Sequence, residues 1–249
     1  MKKIIIGNWK MNPSTYEEAR KIYNSIKRVA PKLTKIDIVI CPPYTYLKSF
    51  VKNQNEVFIG AQNVFFQEQG SYTGEIGVNM LKDLDIKYVI VGHSERRNMG
   101  ETDQMISKKV QLLLDSGISP ILCIGEKERM EQGEHLDYIK IQIKNSLEKV
   151  AKKNISKLII AYEPVWAIGA KEAMNPPMIH EMMLFIRKTI SDIYGHECAM
   201  SMPVLYGGSV NFRNAVDIIK EGQVDGLLVG RESMNTTGFV ELLKTIDTI

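Results

Sequence analysis

The stretch "LIIAYEPVWAIGAKEAMNPP" at positions 158–177 contains the unit from which the whole chain is built. It begins as a short apolar run, breaks at Glu163 and Pro164, and continues through a polar segment that contains Gly169. Two prolines at 176 and 177 then open a helical pattern, because proline is well tolerated in the first turn of a helix. The stretch therefore predicts a buried strand, a polar turn and a helix.

The same order recurs eight times along the chain. Each repeat starts with a short run rich in β-branched residues and then has a break rich in Gly, Pro, Asn or Ser. The predicted strands are 3–9, 36–42, 57–63, 88–94, 120–126, 157–163, 203–209 and 225–231. Amphipathic patterns between them predict helices, among them 15–30, 102–117 and 138–153.

Eight strands that alternate with helices favour an α/β fold with parallel pairing, and apolar strands indicate burial on both faces. Closure into a (β/α)8 barrel is the predicted architecture, and a doubly wound open sheet is the alternative. Barrels of about 250 residues commonly form one domain. No linker-like stretch divides the chain, so we expect a single domain over residues 1–249.

Composition restricts the classes of function. The net charge is +3, and the densest basic run, at 148–154, is predicted to be a solvated helix end. No basic stripe carries interleaved aromatics, so we expect no nucleic-acid partner. The longest apolar runs fall well below the length of a membrane span, and the first residues lack a signal-peptide core. Three cysteines without a CxxC pair indicate a reducing compartment, so we expect a cytoplasmic protein.

Polar residues follow the predicted strands at the ends that would share one mouth of a barrel. Lys10 follows the first strand, His93 the fourth and Glu163 the sixth, and glycine-rich turns follow the seventh and eighth. Each alone has an ordinary explanation: a surface charge, a structural histidine, a strand-end acid or a simple turn. Barrel enzymes place their active sites at this face, so the combination favours an active site.

The glycine-rich turns predict a phosphate site formed by Gly208, Ser209 and Gly230, since barrels often bind phosphate after the last two strands. His93 precedes "SERR", which we interpret as a helix start capped by Ser94. The N-terminus of a helix disfavours a charged imidazolium, so His93 is expected to be a neutral hydrogen-bond donor.

Glu163 is expected to lie in a pocket walled by Trp166 and Ile168, where burial would raise its pKa and make it a stronger base. Lys10 would supply positive charge. A base, a neutral donor, a cation and a phosphate site together indicate proton abstraction next to a carbonyl, without a cofactor. The four histidines lack metal-ligand spacing, so no metal is predicted.

A set of motifs resembles the triosephosphate isomerase family, whose fold is the TIM barrel, over essentially the whole chain. The motifs are "GNWKMN" (7–12), "GAQN" (60–63), "YTGEI" (72–76), "GHSERR" (92–97), "CIGE" (123–126), "YEPVWAIG" (162–169), "YGGSV" (206–210) and "DGLLVG" (225–230). The resemblance implies that Glu163 is the base and His93 the electrophile, that Asn8 and Lys10 contact the substrate, and that Glu95 supports the site.

The resemblance also implies a lid over residues 164–174. Gly169 would meet the substrate phosphate, and Tyr206 and Ser209 would fasten the closed lid. The other lid residues are Pro164, Val165, Trp166, Ala167, Ile168, Ala170, Lys171 and Glu172.

A homodimer is implied as well. In the family the segment corresponding to 65–75 inserts into a second subunit, and this segment contains Tyr72, Thr73 and Glu75. Exposed aromatics there would be unfavourable on a monomer. Arg187 and Asp225 match a family ion pair that braces the last strands.

Three departures from the family pattern concern the surroundings of the substrate. Arg231 and Glu232 stand where the family usually has glycine and a small residue, and Arg231 either points outward or contributes to anion binding. The lid reads Ala-Lys-Glu at 170–172 in place of the common Thr-Gly-Lys, and the segment at 94–103 is one residue shorter.

Four hypotheses follow from these features. The first is a triosephosphate isomerase that interconverts glyceraldehyde 3-phosphate and dihydroxyacetone phosphate. The second, motivated by Arg231 and the lid, is a sister isomerase for a four-carbon ketose phosphate. The others are a sugar-phosphate-binding barrel without turnover and a Schiff-base aldolase that uses Lys10.

Overall fold

The structure, a computed structural model, describes residues 2–53, 56–130, 132–169 and 173–249. Eight parallel strands form a closed barrel in sequence order. The strands are β1 (Lys3–Asn8), β2 (Ile36–Cys41), β3 (Val57–Ala61), β4 (Tyr88–Val91), β5 (Ser119–Ile124), β6 (Ile159–Tyr162), β7 (Val204–Tyr206) and β8 (Gly226–Val229). The (β/α)8 barrel prediction is confirmed, and the open-sheet alternative is wrong.

Helices surround the barrel. They are α1 (Tyr16–Val29), α2 (Tyr44–Phe50), α3 (Val78–Asp83), α4 (Ser94–Asn98), α5 (Asp103–Asp115), α6 (Glu134–Ser146), α7 (Pro176–Tyr194), α8 (His196–Ser201), α9 (Ala215–Lys220) and α10 (Thr236–Asp247). Short 3₁₀ turns complete the connections, including Val165–Ala167 and Arg231–Met234. In the described part of the chain, every helix is too short or too polar to cross a bilayer.

The first strand closes the barrel because it pairs on both sides. It pairs with β2 from Lys3 to Asn8 and with β8 from Ile4 to Gly7. Successive side chains of a strand point to opposite faces of the sheet, so the strand residues of the closed barrel divide between two cores. One core lies between strands and helices and is the larger, and the other fills the barrel. The barrel core contains Ile6, Val39, Cys41, Ile90, Ile121, Cys123, Ile159, Ala161, Leu205 and Leu228.

Element boundaries differ from the predictions in an informative way. Every strand ends one to three residues before the predicted run does, because the polar residues at these ends leave the sheet to form the mouth of the barrel. The predicted helix at 138–153 is wrong at both ends. The observed helix α6 starts at Glu134 after Gly133, whose φ is 83°, and ends at Ser146.

The basic run after α6 is therefore not a helix end. The Tyr194 hydroxyl lies 3.1 Å from the carbonyl oxygens of both Leu147 and Val150, which holds the chain in a turn. Part of the run belongs to a 3₁₀ turn at Lys152–Lys157.

Candidate active site

Polar side chains at the carboxyl ends of the strands line one cavity of about 420 Å³. Of the predicted catalytic residues, all five line it: Asn8, Lys10, His93, Glu95 and Glu163. The predicted phosphate-binding residues Gly169, Gly208, Ser209, Gly230 and Arg231 also line it. The structure thus brings together residues that are far apart in sequence.

Lys10 is held in an unusual backbone conformation, with a φ of 55°. Its N–H donates to Asn8 Oδ1 at 3.0 Å, and its carbonyl accepts from Gln62 Nε2 at 2.7 Å. Left-handed backbone at a non-glycine residue costs energy and is often found at functional sites. Lys10 Nζ lies 2.7 Å from Glu95 Oε1, so the cation has a fixed partner at the wall of the cavity.

His93 combines two roles at the start of α4. Its Nδ1 accepts the backbone N–H of Glu95 at 3.2 Å, and this makes His93 the N-cap of the helix. The prediction that Ser94 is the cap is therefore wrong: Ser94 is the first residue inside the helix. An acceptor at Nδ1 places the ring proton on Nε2, the nitrogen that lies beside Glu163.

Opposing effects act on the pKa of His93. Burial lowers it, and the neighbouring carboxylates of Glu163 and Glu95 raise it, with a net rise above its ordinary value. This opposes the predicted neutral state. The hydrogen bond at Nδ1 supports the neutral state, because a protonated Nδ1 would face the N–H of Glu95 with a second donor.

Glu163 is 4% exposed and lies against His93, with 3.4 Å between Oε1 and the histidine Nε2. Glycine at 207 makes this placement possible, because a Cβ there would lie 2.6 Å from Glu163 Cγ. Glu163 Oε2 is buried and has no hydrogen-bond partner in the described structure. Buried polar atoms are normally paired, so this oxygen is available to a bound molecule.

The predicted rise in the pKa of Glu163 is wrong. Burial does raise it, but His93, the Cys123 thiol and Lys10 lower it, and the net direction is downward. The sequence could not show that these groups surround the carboxyl. The predicted wall is also partly wrong, since Ile168 lines the cavity but Trp166 does not.

Trp166 instead fixes the first part of the segment that is predicted to form the lid. Its indole Nε1 donates to Glu126 Oε1 at 2.8 Å, and the Tyr162 hydroxyl donates to the same oxygen at 2.9 Å. Glu126 does not line the cavity, and the sequence did not predict its contact with Trp166. The available signal was that the predicted strand 120–126 ends in an acid, as does the strand that leads to Glu163.

Two more contacts hold the predicted lid segment to the barrel. The Met174 N–H donates to the Tyr206 hydroxyl at 3.1 Å, and Ser209 Oγ donates to the Ala167 carbonyl at 2.9 Å. Pro164 and Ala167 are buried, whereas Gly169 is exposed with a φ of 72°. The predicted lid residues Ala170, Lys171 and Glu172 lie outside the described residues.

The predicted dimer segment stands apart from the cavity of its own chain. Tyr72, Thr73 and Glu75 are exposed, and none of them lines that cavity. The rings of Phe65 and Phe66 pack together with centroids 4.3 Å apart, and Phe65 also contacts Tyr72.

Further from the site, Arg187 Nη2 lies 2.5 Å from Asp225 Oδ2, as the resemblance implies.

Sequence comparison adds an independent observation. The protein-family model described as Triosephosphate isomerase matches residues 3–246 of this chain. The chain belongs to the triosephosphate isomerase family. Among its relatives, the triosephosphate isomerase of Dictyoglomus thermophilum is 40% identical, over 98% of this chain and 99% of that protein.

Two other triosephosphate isomerases are similarly related. That of Dehalococcoides mccartyi strain BAV1 is 42% identical, over 98% of this chain and 96% of the relative. That of Fusobacterium nucleatum is 41% identical, over 97% of each chain. Membership of the triosephosphate isomerase family therefore rests on full-length similarity as well as on the geometry of the cavity.

We predict that Tyr206→Phe weakens the lid. The substitution removes the acceptor of the Met174 N–H, and an unpaired buried donor costs about 1–3 kcal/mol. Because the lost hydrogen bond destabilises the closed conformation of the predicted lid, we expect kcat/KM for the isomerisation to fall about tenfold or more in a coupled assay.

Tyr194→Phe is the matched control for Tyr206→Phe. It also removes a buried tyrosine hydroxyl, but the hydroxyl of Tyr194 binds carbonyl groups far from the lid. We expect this control to lower thermal stability and to leave kcat/KM within about twofold. Equal loss of activity in the two variants would contradict the lid role of Tyr206.

Proposed function

We propose that this protein interconverts D-glyceraldehyde 3-phosphate and dihydroxyacetone phosphate by moving a proton between adjacent carbons. The reaction belongs to glycolysis and gluconeogenesis and, as proposed, needs neither metal nor cofactor. The observation that supports it most directly is the buried Glu163 carboxylate beside His93 Nε2, with one oxygen unpaired, in the lining of the cavity. A pure binding site has no use for a base in this position.

In the proposed mechanism, Glu163 removes a proton from the carbon next to the substrate carbonyl. The electrons move to the carbonyl oxygen, which becomes the oxygen of an enediolate. His93 Nε2–H donates to this oxygen, Asn8 contacts the substrate, and Lys10 offsets the developing negative charge. His93 Nε2 gives its proton to this oxygen and takes one from the hydroxyl on the neighbouring carbon, which becomes the new carbonyl. Glu163 returns its proton to the carbon that was the carbonyl, so both side chains end in their starting states.

The low pKa of Glu163 is compatible with this role. At neutral pH the carboxylate is already ionised and ready to accept a proton. A bound phosphate dianion and the enediolate add negative charge near Glu163, which raises the pKa of the carboxyl and makes it a better base during the reaction. Glu95 positions Lys10 through their ion pair.

The phosphate is proposed to bind at the part of the cavity lined by Gly169, Gly208, Ser209 and Gly230. These residues offer backbone N–H groups with little steric obstruction. The lid over 164–174 would then separate the enediolate from water, so that it is protonated before phosphate is eliminated.

A homodimer in the cytoplasm is the proposed state of the protein, with residues 1–249 acting as one domain. Exposed apolar side chains support an interface: Met11 is 93% exposed and Met99 74%, and Tyr72 protrudes from the segment 65–75. In the dimer, Thr73 would reach the cavity of the partner. Light scattering after gel filtration should give twice the mass of 28.3 kDa.

A four-carbon ketose phosphate is the second candidate substrate, because Arg231 and Glu232 line the cavity where the family usually has smaller residues. The Schiff-base hypothesis is weaker. Lys10 is ion-paired with Glu95, an arrangement that suits a cation rather than a free amine.

A coupled assay tests the proposed function directly. We expect kcat/KM for glyceraldehyde 3-phosphate to approach the diffusional ceiling of about 10⁸–10⁹ M⁻¹s⁻¹. Erythrulose phosphates are assayed in parallel. If they are turned over more efficiently than the triose, the second candidate replaces the first, and absence of proton exchange with solvent in the presence of any of these sugars would leave only a binding protein.

A further inference from the structure

Among the residues that the structure describes, the lysine and arginine side chains that line the cavity are Lys10 and Arg231, and they differ in their partners. Lys10 is ion-paired with Glu95 at 2.7 Å. Arg231 makes neither a hydrogen bond nor an ion pair with any residue that the structure describes, and its side chain is exposed. An unpaired guanidinium at the wall of a cavity is free to bind an anion that enters it.

The acid next to Arg231 is engaged elsewhere. Glu232 Oε1 lies so close to Gly238 that a Cβ on this glycine would be 1.9 Å away, and Asn235 Nδ2 donates to the same oxygen at 3.3 Å. Gly238 belongs to the first turn of α10, where a helix favours negative charge. Glu232 therefore interacts with α10, and its carboxylate does not neutralise Arg231.

The position of Arg231 decides which part of a substrate it would meet. It opens the 3₁₀ turn Arg231–Met234 directly after Gly230, and it lines the cavity together with Gly208 and Ser209. This is the end of the cavity proposed for the phosphate. A guanidinium group can donate two parallel hydrogen bonds to two oxygens of one phosphate. An ammonium group cannot reproduce this geometry.

We propose that Arg231 is a specificity-determining residue that binds the phosphate of the substrate through its guanidinium, in addition to the backbone N–H groups. This inference rests on the proposed function, because it assumes that a phosphorylated sugar occupies the cavity. The phosphate does not change during the reaction. Arg231 therefore contributes equally to the ground state and the transition state, which affects KM and not kcat.

The test compares Arg231→Gln and Arg231→Lys with the wild-type protein. For Arg231→Gln we expect KM for glyceraldehyde 3-phosphate to rise about fivefold to twentyfold with kcat within about twofold, since a charged hydrogen bond at an exposed site is lost. The inhibition constant of inorganic phosphate should rise by a similar factor. Arg231→Lys should give intermediate values.

Two controls separate a phosphate contact from a general effect of charge or folding. Arg213→Gln removes an exposed cation that stacks on Phe212, near the cavity but not lining it, and should leave KM unchanged. Unphosphorylated glyceraldehyde should be turned over equally well by the wild type and Arg231→Gln. A KM for Arg231→Gln within twofold of that for Arg213→Gln, or an equal loss with glyceraldehyde, would overturn the inference.

Failure of the proposed function is distinguishable from failure of this inference. If the wild type does not turn over a triose phosphate, the proposed function fails, and calorimetry with inorganic phosphate still compares the wild type with Arg231→Gln. If the wild type is active and its KM does not respond to Arg231→Gln, only the role of Arg231 is lost.

Discussion

Glu163→Gln should lower kcat by about 10³-fold or more, within the range of about 10²–10⁴ that a positioned general base contributes. Glutamine has nearly the same shape as glutamate, so it fits against Gly207 and beside His93. Its amide cannot accept a proton from carbon. The loss should therefore appear in kcat, with little change in KM, because the phosphate contacts remain.

Glu163→Asp is the conservative variant for this prediction. It keeps a carboxylate but withdraws it by one methylene, and a displacement of about 1 Å in an active site can cost about 10²-fold. We therefore expect the order wild type, Glu163→Asp, Glu163→Gln in kcat. Proton exchange between substrate and deuterated solvent should decline in the same order.

Circular dichroism and thermal melting confirm that each variant is folded. If Glu163→Gln retains more than a tenth of the wild-type kcat, Glu163 is not the base, and the pairing with His93 needs another explanation.

Lys109→Met should destabilise the protein by about 3–5 kcal/mol, because it leaves the Glu101 carboxylate buried without a cation. Both side chains are only 2% exposed and they are in direct contact. Lys109 Nζ also donates to Asn63 Oδ1 at 2.7 Å. Burial lowers the pKa of Lys109 despite the adjacent carboxylate, which indicates how poorly the site is solvated.

A double variant distinguishes the buried charge from lost packing. In Lys109→Met with Glu101→Leu, both charges are replaced by apolar groups, and we expect most of the stability to return. Chemical unfolding at one fixed protein concentration measures both variants, because assembly would otherwise change the apparent stability. A cost below about 1 kcal/mol for the single variant would show that water or another group compensates Glu101.

The sequence predicts the fold because the pattern of strand, break and helix repeats along the chain. Eight apolar runs, each followed by a break, predict eight buried parallel strands, and the closed barrel confirms this. Exact ends are harder to predict, since the same residues can extend a strand or turn into the mouth. The error at the C-terminal end of α6 reflects a distant contact, since the Tyr194 hydroxyl, more than 40 positions away, binds the carbonyl groups that follow the helix.

The candidate site is predictable in composition but not in detail. The residue types at the strand ends indicate a base, a donor and a cation on one face. That His93 caps its own helix depends on one side-chain rotamer, which no pattern reveals. The direction in which the pKa of Glu163 shifts likewise depends on His93, Cys123 and Lys10, which lie in β5 or just after β1 and β4.

Two glycines pack closely against Glu163, and this packing limits which substitutions the chain can tolerate. Besides Gly207, Gly125 packs so tightly that a Cβ would lie 1.8 Å from the Glu163 carbonyl oxygen. Neither glycine takes part in the proposed proton transfer. In a library of random variants, we expect both positions to reject every side chain, so that a map of tolerated residues would mark them as strongly as the base itself. The position of the carboxylate thus depends partly on two residues that have no side chain at all.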